Sequence, residues 1–322
     1  MKQGKARFEF QLAKIEALVQ TANTQQNPAL WLFLHDMRTP FFMLEGLAKL
    51  YANFHNEKPF TKLKETFKIL EDALGAIDYY ATFAKEFAAN STIPSSVTAF
   101  LDQKTREKVK VFNTILKNEG WLDGKAVKKI RSTLEKLDWL EEEHETTLLY
   151  AFYKKQVKKS VEFVQETGFV FDNVEEDVHE LRRRLRWLSI YPQALQGAVK
   201  LEKMSPIPSH LEKYLTPEIV TSVFNKFPIS ETQSHFLVLN ESYFLSLSWL
   251  ISALGKLKDK GLKIEALQHA LQETALLNDT AALNEAYKLL GTDYPNMDTL
   301  LAEASTMVKQ YFEENNLKHL IV

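Results

Sequence analysis

The chain has 322 residues, no cysteine and a net charge of −2, with 45% hydrophobic and 25% charged residues. The absence of cysteine excludes disulfides and thiolate metal sites, and the near-neutral charge gives no general attraction to polyanions. The first residues lack an unbroken apolar core, so we predict no signal peptide and no membrane partner, and we expect a cytoplasmic protein.

Apolar residues recur at helical spacing along almost the whole chain, as Val127, Ile130 and Leu134 illustrate. Breaks coincide with turn-forming stretches that contain Gly, Pro, Asn or Asp. This pattern predicts an all-α protein of long antiparallel helices. In chain order, the predicted helices cover residues 5–22, 28–53, 60–89, 96–118, 124–147, 148–167, 174–202, 209–224, 232–258, 262–276, 279–290 and 297–315.

A four-residue pattern occurs twice, as His35-Asp36-Met37-Arg38 and as His179-Glu180-Leu181-Arg182. Apolar residues follow both copies in the same phase: Leu34, Met37, Phe41, Leu44 and Leu47 in the first, and Val178, Leu181, Leu185, Leu188 and Tyr191 in the second. Both helices should therefore bury the same stripe and expose the same flank. We predict two repeated helical bundles, residues 1–168 and residues 169–322.

The first copy lies in a segment, residues 35–46, that resembles the phospho-acceptor box of sensor histidine kinases. In it, His35 is followed by Arg38-Thr39-Pro40 and then by Gly46. Proline inside a helix removes a hydrogen bond and kinks the helix, so we expect a kink at Pro40. A kinase also needs a glycine-rich ATP-binding domain, and no such motif occurs in the chain. The resemblance therefore leaves a histidine phosphotransfer bundle using His35 as one alternative.

A second resemblance covers most of the chain. The repeated His-x-x-Arg helices, the basic segment "VHELRRRLRWL" at Val178–Leu188 and the segment "LGKLKD" at Leu254–Asp259 resemble the CHAD family (conserved histidine α-helical domain). The segment "LGAID" at Leu74–Asp78 is a shortened version of the same second motif. This resemblance implies two bundles related by a pseudo-two-fold axis, with a basic groove that binds inorganic polyphosphate or a similar phosphate polymer, and no reaction.

The basic residues support a polyanion site on the second repeat. His179, Arg182, Arg183 and Arg186 follow a spacing that places them on one helix face. Arginine forks suit phosphate oxygens, and a bound phosphate would favour the charged form of a histidine. The predicted ligand-binding residues are His35, Arg38, Lys154, Lys158, His179, Arg182, Arg183, Arg186, Lys256 and Lys258. We predict no catalytic residue, no cofactor, no metal and no nucleic-acid partner.

Other interpretations stay open. The histidines could be polar residues beside a core, and the basic clusters could be solvated helix faces paired with carboxylates. The chain could then be a structural or protein-interaction scaffold whose polyanion site has decayed. Two Glu-x-x-His patterns, Glu141/His144 and Glu176/His179, also permit a di-iron bundle if Glu162 or Glu166 completes the ligand set.

Overall fold

The computed structural model describes residues 2–322, and it confirms the all-α class. The helices are α1 (Gln3–Ala22), α2 (Pro28–Leu34), α3 (Arg38–Tyr51), α4 (Glu57–Ala88), α5 (Ser95–Asn118), α6 (Lys125–Glu135), α7 (Glu142–Glu166), α8 (Glu180–Ala194), α9 (Pro217–Thr221), α10 (Glu241–Ala275), α11 (Asp279–Leu290) and α12 (Met297–Glu313). A π-helical turn, Val174–His179, leads directly into α8. Short 3-10 turns cover Ser209–Tyr214, Val223–Asn225 and Asn316–His319. Two short strands, β1 (Val199–Glu202) and β2 (Leu237–Asn240), pair in parallel.

The chain forms two compact units, and each is discontinuous in sequence. Unit 1 contains the chain up to Trp139 together with Lys263–Tyr294, and unit 2 contains Leu140–Leu262 together with Pro295–Val322. These units differ from the predicted halves 1–168 and 169–322. The first boundary falls after Trp139, and α10 begins within unit 2 and ends within unit 1.

An aromatic cluster forms part of the core of unit 1. The Tyr51 ring lies 5.7 Å from Phe8, 5.5 Å from Phe60 and 5.4 Å from Trp139, measured between ring centroids. A Cβ atom at Gly4 would lie 2.6 Å from the Trp139 ring, so the close approach of α1 to this tryptophan requires glycine. These rings hold α1, α3 and the start of α4 together.

The predicted helix 28–53 is wrong at its centre, because the helix breaks after Leu34. Asp36 has a φ of +55°, which an α-helix does not accommodate, and α3 begins at Arg38. Pro40 consequently lies in the first turn of α3. The backbone N–H groups of a first turn have no partner within the helix, so proline costs no hydrogen bond there. The chain breaks before Pro40, and no continuous helix runs through this residue to be kinked.

Unit 2 packs α7 against α8 and carries the small sheet. The Tyr153 hydroxyl of α7 donates to the Leu188 carbonyl of α8 over 3.1 Å. Val199 pairs with Leu237 across the two strands, and Leu239 forms an antiparallel bridge with Ile321 near the C-terminus.

Several predicted helix boundaries in this part of the chain are also wrong. Residues 136–141 lie outside any helix, the predicted break after residue 147 falls inside α7, and residues 199–202 and 237–240 are strands. The predicted turn at residues 259–261 is part of α10. A Cβ atom at Gly261 would lie 3.2 Å from the Val174 side chain, so this glycine permits close packing rather than a turn.

Of the helices in residues 2–322, none combines the length and the apolar character needed to cross a bilayer.

Candidate anion-binding site

In each unit, the arginine of the His-x-x-Arg pattern lies against the glycine of the Leu-Gly motif. A Cβ atom at Gly75 would lie 2.8 Å from Nη2 of Arg38 in unit 1. A Cβ atom at Gly255 would lie 2.9 Å from Nε of Arg182 in unit 2. The two motifs that the sequence repeats therefore meet in space within each unit, and the missing side chain of glycine makes room for the guanidinium.

The arginine of unit 1 already has two carboxylate partners. Nε of Arg38 donates to Oε1 of Glu71 over 2.8 Å, and Nη1 donates to Oδ2 of Asp78 over 3.1 Å. Glu71 precedes Gly75 by one helical turn and Asp78 follows it by one turn, so both carboxylates flank the glycine on α4. The charge of Arg38 is compensated inside unit 1.

In residues 2–322, the arginine of unit 2 has no carboxylate bonded to it. Nε of Arg182 donates to the backbone carbonyl of Ile251 over 3.2 Å, and Ile251 occupies the position one turn before Gly255 that Glu71 occupies before Gly75. Within residues 2–322, Arg182 forms no ion pair. Its burial lowers the pKa of its guanidinium, and the nearby charge of Asp259 opposes that effect. Arg182 is thus a half-buried cation whose terminal nitrogens lack a protein acceptor in the described chain.

His179 lies close to both Arg182 and Lys258. Burial lowers the pKa of His179, and the charges of Lys258 and Arg182 act in the same direction. Glu175 opposes them, since its Oε2 atom lies 3.5 Å from Nδ1 of His179. Lys258 is largely buried, and its Nζ atom lies 2.9 Å from Oδ1 of Asp259. With His179 neutral, the cations Arg182 and Lys258 face the carboxylates of Glu175 and Asp259, so protonation of His179 would give this partly desolvated cluster an excess of positive charge.

The π-helical turn before α8 positions His179. The Asn173 side chain accepts hydrogen bonds from the backbone N–H groups of Glu175 and Glu176 over 2.8 and 2.9 Å, which caps the start of the turn. The turn then passes into α8 at Glu180 without a break. Such wide turns are frequent at functional sites.

The remaining arginines of α8 differ in their partners. Glu180 binds both Arg183 and Arg184, and the guanidinium of Arg184 also lies 4.6 Å from the Phe163 ring of α7. Arg186 is half-buried one turn beyond Arg182. Arg183 can therefore assist an anion at Arg182 only by exchanging its bond to Glu180.

The structure does not bring the predicted lysines of α7 to Arg182. Arg184 contacts α7 while Arg182 contacts α10, and residues two apart on a helix point in nearly opposite directions. On α10, Lys256 lies 3.3 Å from Oε2 of Glu218, away from the face that Gly255 presents.

His35 of unit 1 is exposed at the break between α2 and α3. Its Nδ1 atom lies 2.7 Å from the Trp31 carbonyl, and its ring stacks on the Trp31 ring at 3.8 Å between centroids. Because a carbonyl only accepts, Nδ1 carries the proton and the other ring nitrogen, Nε2, faces solvent. Oδ1 of Asp36 accepts from the Thr39 hydroxyl over 2.7 Å, and no hydrogen bond or ion pair joins this carboxylate to His35 in residues 2–322.

Sequence reasoning missed the carboxylates that distinguish the two arginines. Aligning the two Leu-Gly motifs at their glycines would have shown Glu71 opposite Ile251 and Asp78 opposite Lys258. It also missed Glu45, a buried carboxylate on α3 whose pKa is raised to about 7 by burial and by the charge of Glu71. In residues 2–322, no group of three or more His, Asp or Glu side chains is arranged to hold a metal ion.

Comparison of the chain with family models, with curated proteins and with solved structures gives no significant match.

Proposed function

We propose that unit 2 binds a phosphate-rich polyanion, with inorganic polyphosphate as the first candidate, and that the chain is a divergent relative of the CHAD family. The ligands in this proposal are Arg182, His179 and Lys258, with Arg183 in support. No reaction is involved. One observation carries the proposal: a half-buried arginine without a carboxylate partner in the described chain.

The physical argument rests on the cost of burying charge. A cation that is partly removed from water is destabilised unless an anion or a set of acceptors compensates it. Unit 1 compensates Arg38 with Glu71 and Asp78, whereas unit 2 offers Arg182 a single carbonyl. An external phosphate would fill the place of the missing carboxylates, and the guanidinium fork matches its oxygens.

His179 and Lys258 extend the site in the way a polymer requires. A chain of phosphates presents negative charge at regular intervals, so several cations in a row bind it better than one. A phosphate next to His179 would favour the imidazolium form, because opposite charges stabilise each other in a place with little water. Lys258 would then share its interaction between Asp259 and the ligand.

The test compares two arginine variants that change the charge equally. Fluorescence anisotropy with end-labelled polyphosphate is measured at 50 and 500 mM salt for the wild type, Arg182→Gln and Arg38→Gln. We expect salt-sensitive binding by the wild type and by Arg38→Gln, and a loss of at least about tenfold in affinity for Arg182→Gln. Equal effects of the two substitutions, or no binding by the wild type, would contradict the proposal.

A second candidate function is phosphoryl transfer at His35 of unit 1. The specific observation is that Nδ1 is fixed by the Trp31 carbonyl, which leaves the lone pair of Nε2 in the neutral ring open to solvent. A phosphorylated partner protein would donate the phosphoryl group: the P–N bond to Nε2 forms while the bond to the donor residue breaks. Incubation with a small phosphoryl donor such as acetyl phosphate, followed by ³¹P NMR, should give an acid-labile phosphohistidine signal. That signal should be absent in His35→Gln and present in His319→Gln.

A further inference from the structure

Unit 2 has a groove that is separate from the arginine cluster. The groove runs between the second half of α7 and the C-terminal residues, and its volume is about 450 Å³. A smaller cavity continues it beyond Val161 and Gln165, which line both spaces. The polyanion site does not account for this groove, because its lining residues lie on the side of α7 and the C-terminus rather than beside Arg182.

The floor of the groove is apolar and its edges are basic. Val157, Val161 and Ile321 form the floor, and Phe169 and Phe312 lie at the far end. Three exposed lysines lie at the edge: Lys154, Lys158 and Lys318. Among the described residues that line the groove, Glu162 alone carries a negative charge, and it lies 3.5 Å from Lys158. The surface is therefore amphipathic, with an excess of positive charge.

This combination excludes polyphosphate as the best occupant. A phosphate polymer has no apolar surface to bury, so the valine and isoleucine floor would contribute nothing to its binding. An amphipathic peptide contributes an apolar stripe for the floor and carboxylates for the lysines. Charge complementarity of this kind sets the orientation of a partner and the rate at which it associates.

The dimensions of the groove favour a helix. From Lys154 to Gln165, α7 extends for about 16 Å, which is three helical turns. Val157 and Val161 are four residues apart and form a ridge of the kind that packs between the side chains of a second helix. Recognition of an amphipathic helix in an apolar groove is a common mode of protein association.

The backbone at the end of α7 shapes the far end of the groove. Gly168 and Phe169 both have positive φ, 60° and 62°, and Phe169 N–H donates to the Val164 carbonyl over 3.2 Å. A left-handed conformation is unfavourable for phenylalanine by about 1–2 kcal/mol. This turn reverses the chain after α7 and places the Phe169 ring among the lining residues.

We propose that this groove binds an acidic amphipathic helix of a partner protein, about three turns long, with its apolar stripe on Val157, Val161 and Ile321 and its carboxylates beside Lys154, Lys158 and Lys318. Unit 2 would then carry two separate anion-selective surfaces: an arginine cluster for phosphate and this groove for an acidic peptide. The second proposal does not depend on the first, since the groove shares no residue with the arginine cluster.

The test uses a display library of 14-residue helices with four apolar positions at helical spacing and Glu, Gln, Lys or Ala elsewhere. A second library has the same composition with the apolar positions scrambled. Selection on the wild-type protein should enrich peptides of net negative charge from the first library only. Enriched peptides are then synthesised with a fluorescent label, and their affinity is measured at 50 and 500 mM salt.

The chain offers a matched control on the same helix. Lys154→Glu/Lys158→Glu reverses two charges at the groove, while Lys155→Glu/Lys159→Glu reverses two equally exposed charges that do not line it. We expect the first variant to weaken binding about tenfold at low salt, and less at high salt, and the second to change it less than twofold. Val161→Asp should abolish binding in both salts, with circular dichroism confirming the fold of each variant.

Three results would overturn the proposal: no enrichment over the scrambled library, enrichment of neutral or basic peptides, or equal effects of the two double substitutions. Arg182→Gln serves as a further control, because it should leave peptide binding unchanged even if polyphosphate binding is lost.

Discussion

The guanidinium of Arg182 lies against Gly255, at a distance that leaves no room for a methyl group. A Cβ atom at position 255 would lie 2.9 Å from Nε and 3.2 Å from Nη2 of the arginine. The only hydrogen bond of this guanidinium within residues 2–322 goes to the Ile251 carbonyl. The glycine therefore sets where the charge of Arg182 is held, although it carries no charge itself.

Gly255→Ala should weaken polyphosphate binding without destabilising the protein. The added methyl group moves the guanidinium, which is the flexible end of a long side chain, so the fold can adjust. Alanine is also favoured over glycine inside a helix by about 1 kcal/mol. We expect a several-fold loss of affinity by anisotropy and an unchanged or higher Tm. Gly75→Ala is the control in unit 1, and a similar loss of affinity in that variant would contradict the assignment of the site to unit 2.

Arg38→Gln should cost stability, in contrast to Arg182→Gln. Removing Arg38 leaves Glu71, whose side chain is 12% exposed, without its cation and near the buried Glu45. We expect a loss of about 1–2 kcal/mol in the free energy of unfolding at pH 8, measured by urea denaturation. Arg182→Gln removes a charge that has no carboxylate partner, and its effect on stability should be below about 1 kcal/mol. A larger loss of stability for Arg182→Gln than for Arg38→Gln would contradict this prediction.

Glu45→Gln should stabilise the protein more at pH 8 than at pH 5. The pKa of Glu45 is raised from 4.5 to about 7 in the folded state, so the folded state holds the proton in a range where the unfolded state has lost it. Stability therefore falls as the pH rises from 4.5 to 7. Glutamine, which mimics the protonated form, removes this loss of at most about 3 kcal/mol. Urea denaturation at both pH values measures the difference, and an equal effect of Glu45→Gln at pH 5 and pH 8 would contradict the prediction.

Polyphosphate binding should strengthen as the pH falls from 8 to about 5.5. The folded protein resists protonation of His179, whose pKa lies below its usual 6.5, while a bound polyanion favours the imidazolium. Binding therefore takes up a proton in this range. Anisotropy titrations at several pH values should show a rise in affinity that His179→Gln abolishes. A pH-independent affinity of the wild type would exclude His179 from the site.

The lowered pKa of His179 also predicts how the stability of the protein without ligand depends on pH. Unfolded His179 takes up a proton near pH 6.5, and folded His179 does so only at lower pH, so the unfolded state binds more protons between these values. Stability should fall as the pH drops through this range, and His179→Gln should flatten that part of the profile. Thermal melts from pH 7.5 to 5 provide the measurement.

Helical periodicity predicted the class and most helices, but not where backbone conformation overrides the pattern. The helix breaks where Asp36 adopts a left-handed backbone conformation. The apolar spacing continues on both sides of this residue, so it gives no sign of the break. Gly261 looks like a turn residue in the sequence, yet it lies inside α10, where the Val174 side chain packs against it. The strands at 199–202 and 237–240 are four residues long, too short for periodicity to separate them from helix.

The candidate site was predictable as a set of motifs but not as a set of contacts. The two His-x-x-Arg patterns and the two Leu-Gly patterns were visible, whereas their meeting in space was not, because nothing in the sequence relates α8 to α10. The lysines of α7 are positively charged like the arginines of α8, so the sequence alone predicts both groups in one site. The two groups lie on different sides of α8, since Arg182 contacts α10 whereas Arg184 contacts α7.

The division of unit 1 into two stretches of chain has a consequence for its synthesis. Residues 263–294 complete this unit through contacts such as that of Lys263 with Glu86, at 3.2 Å, and that of His269 with the Phe100 ring. A ribosome must therefore translate nearly the entire chain before the N-terminal unit can acquire its last helices. The first 139 residues would wait, incompletely covered, while the whole of α7 and α8 is made.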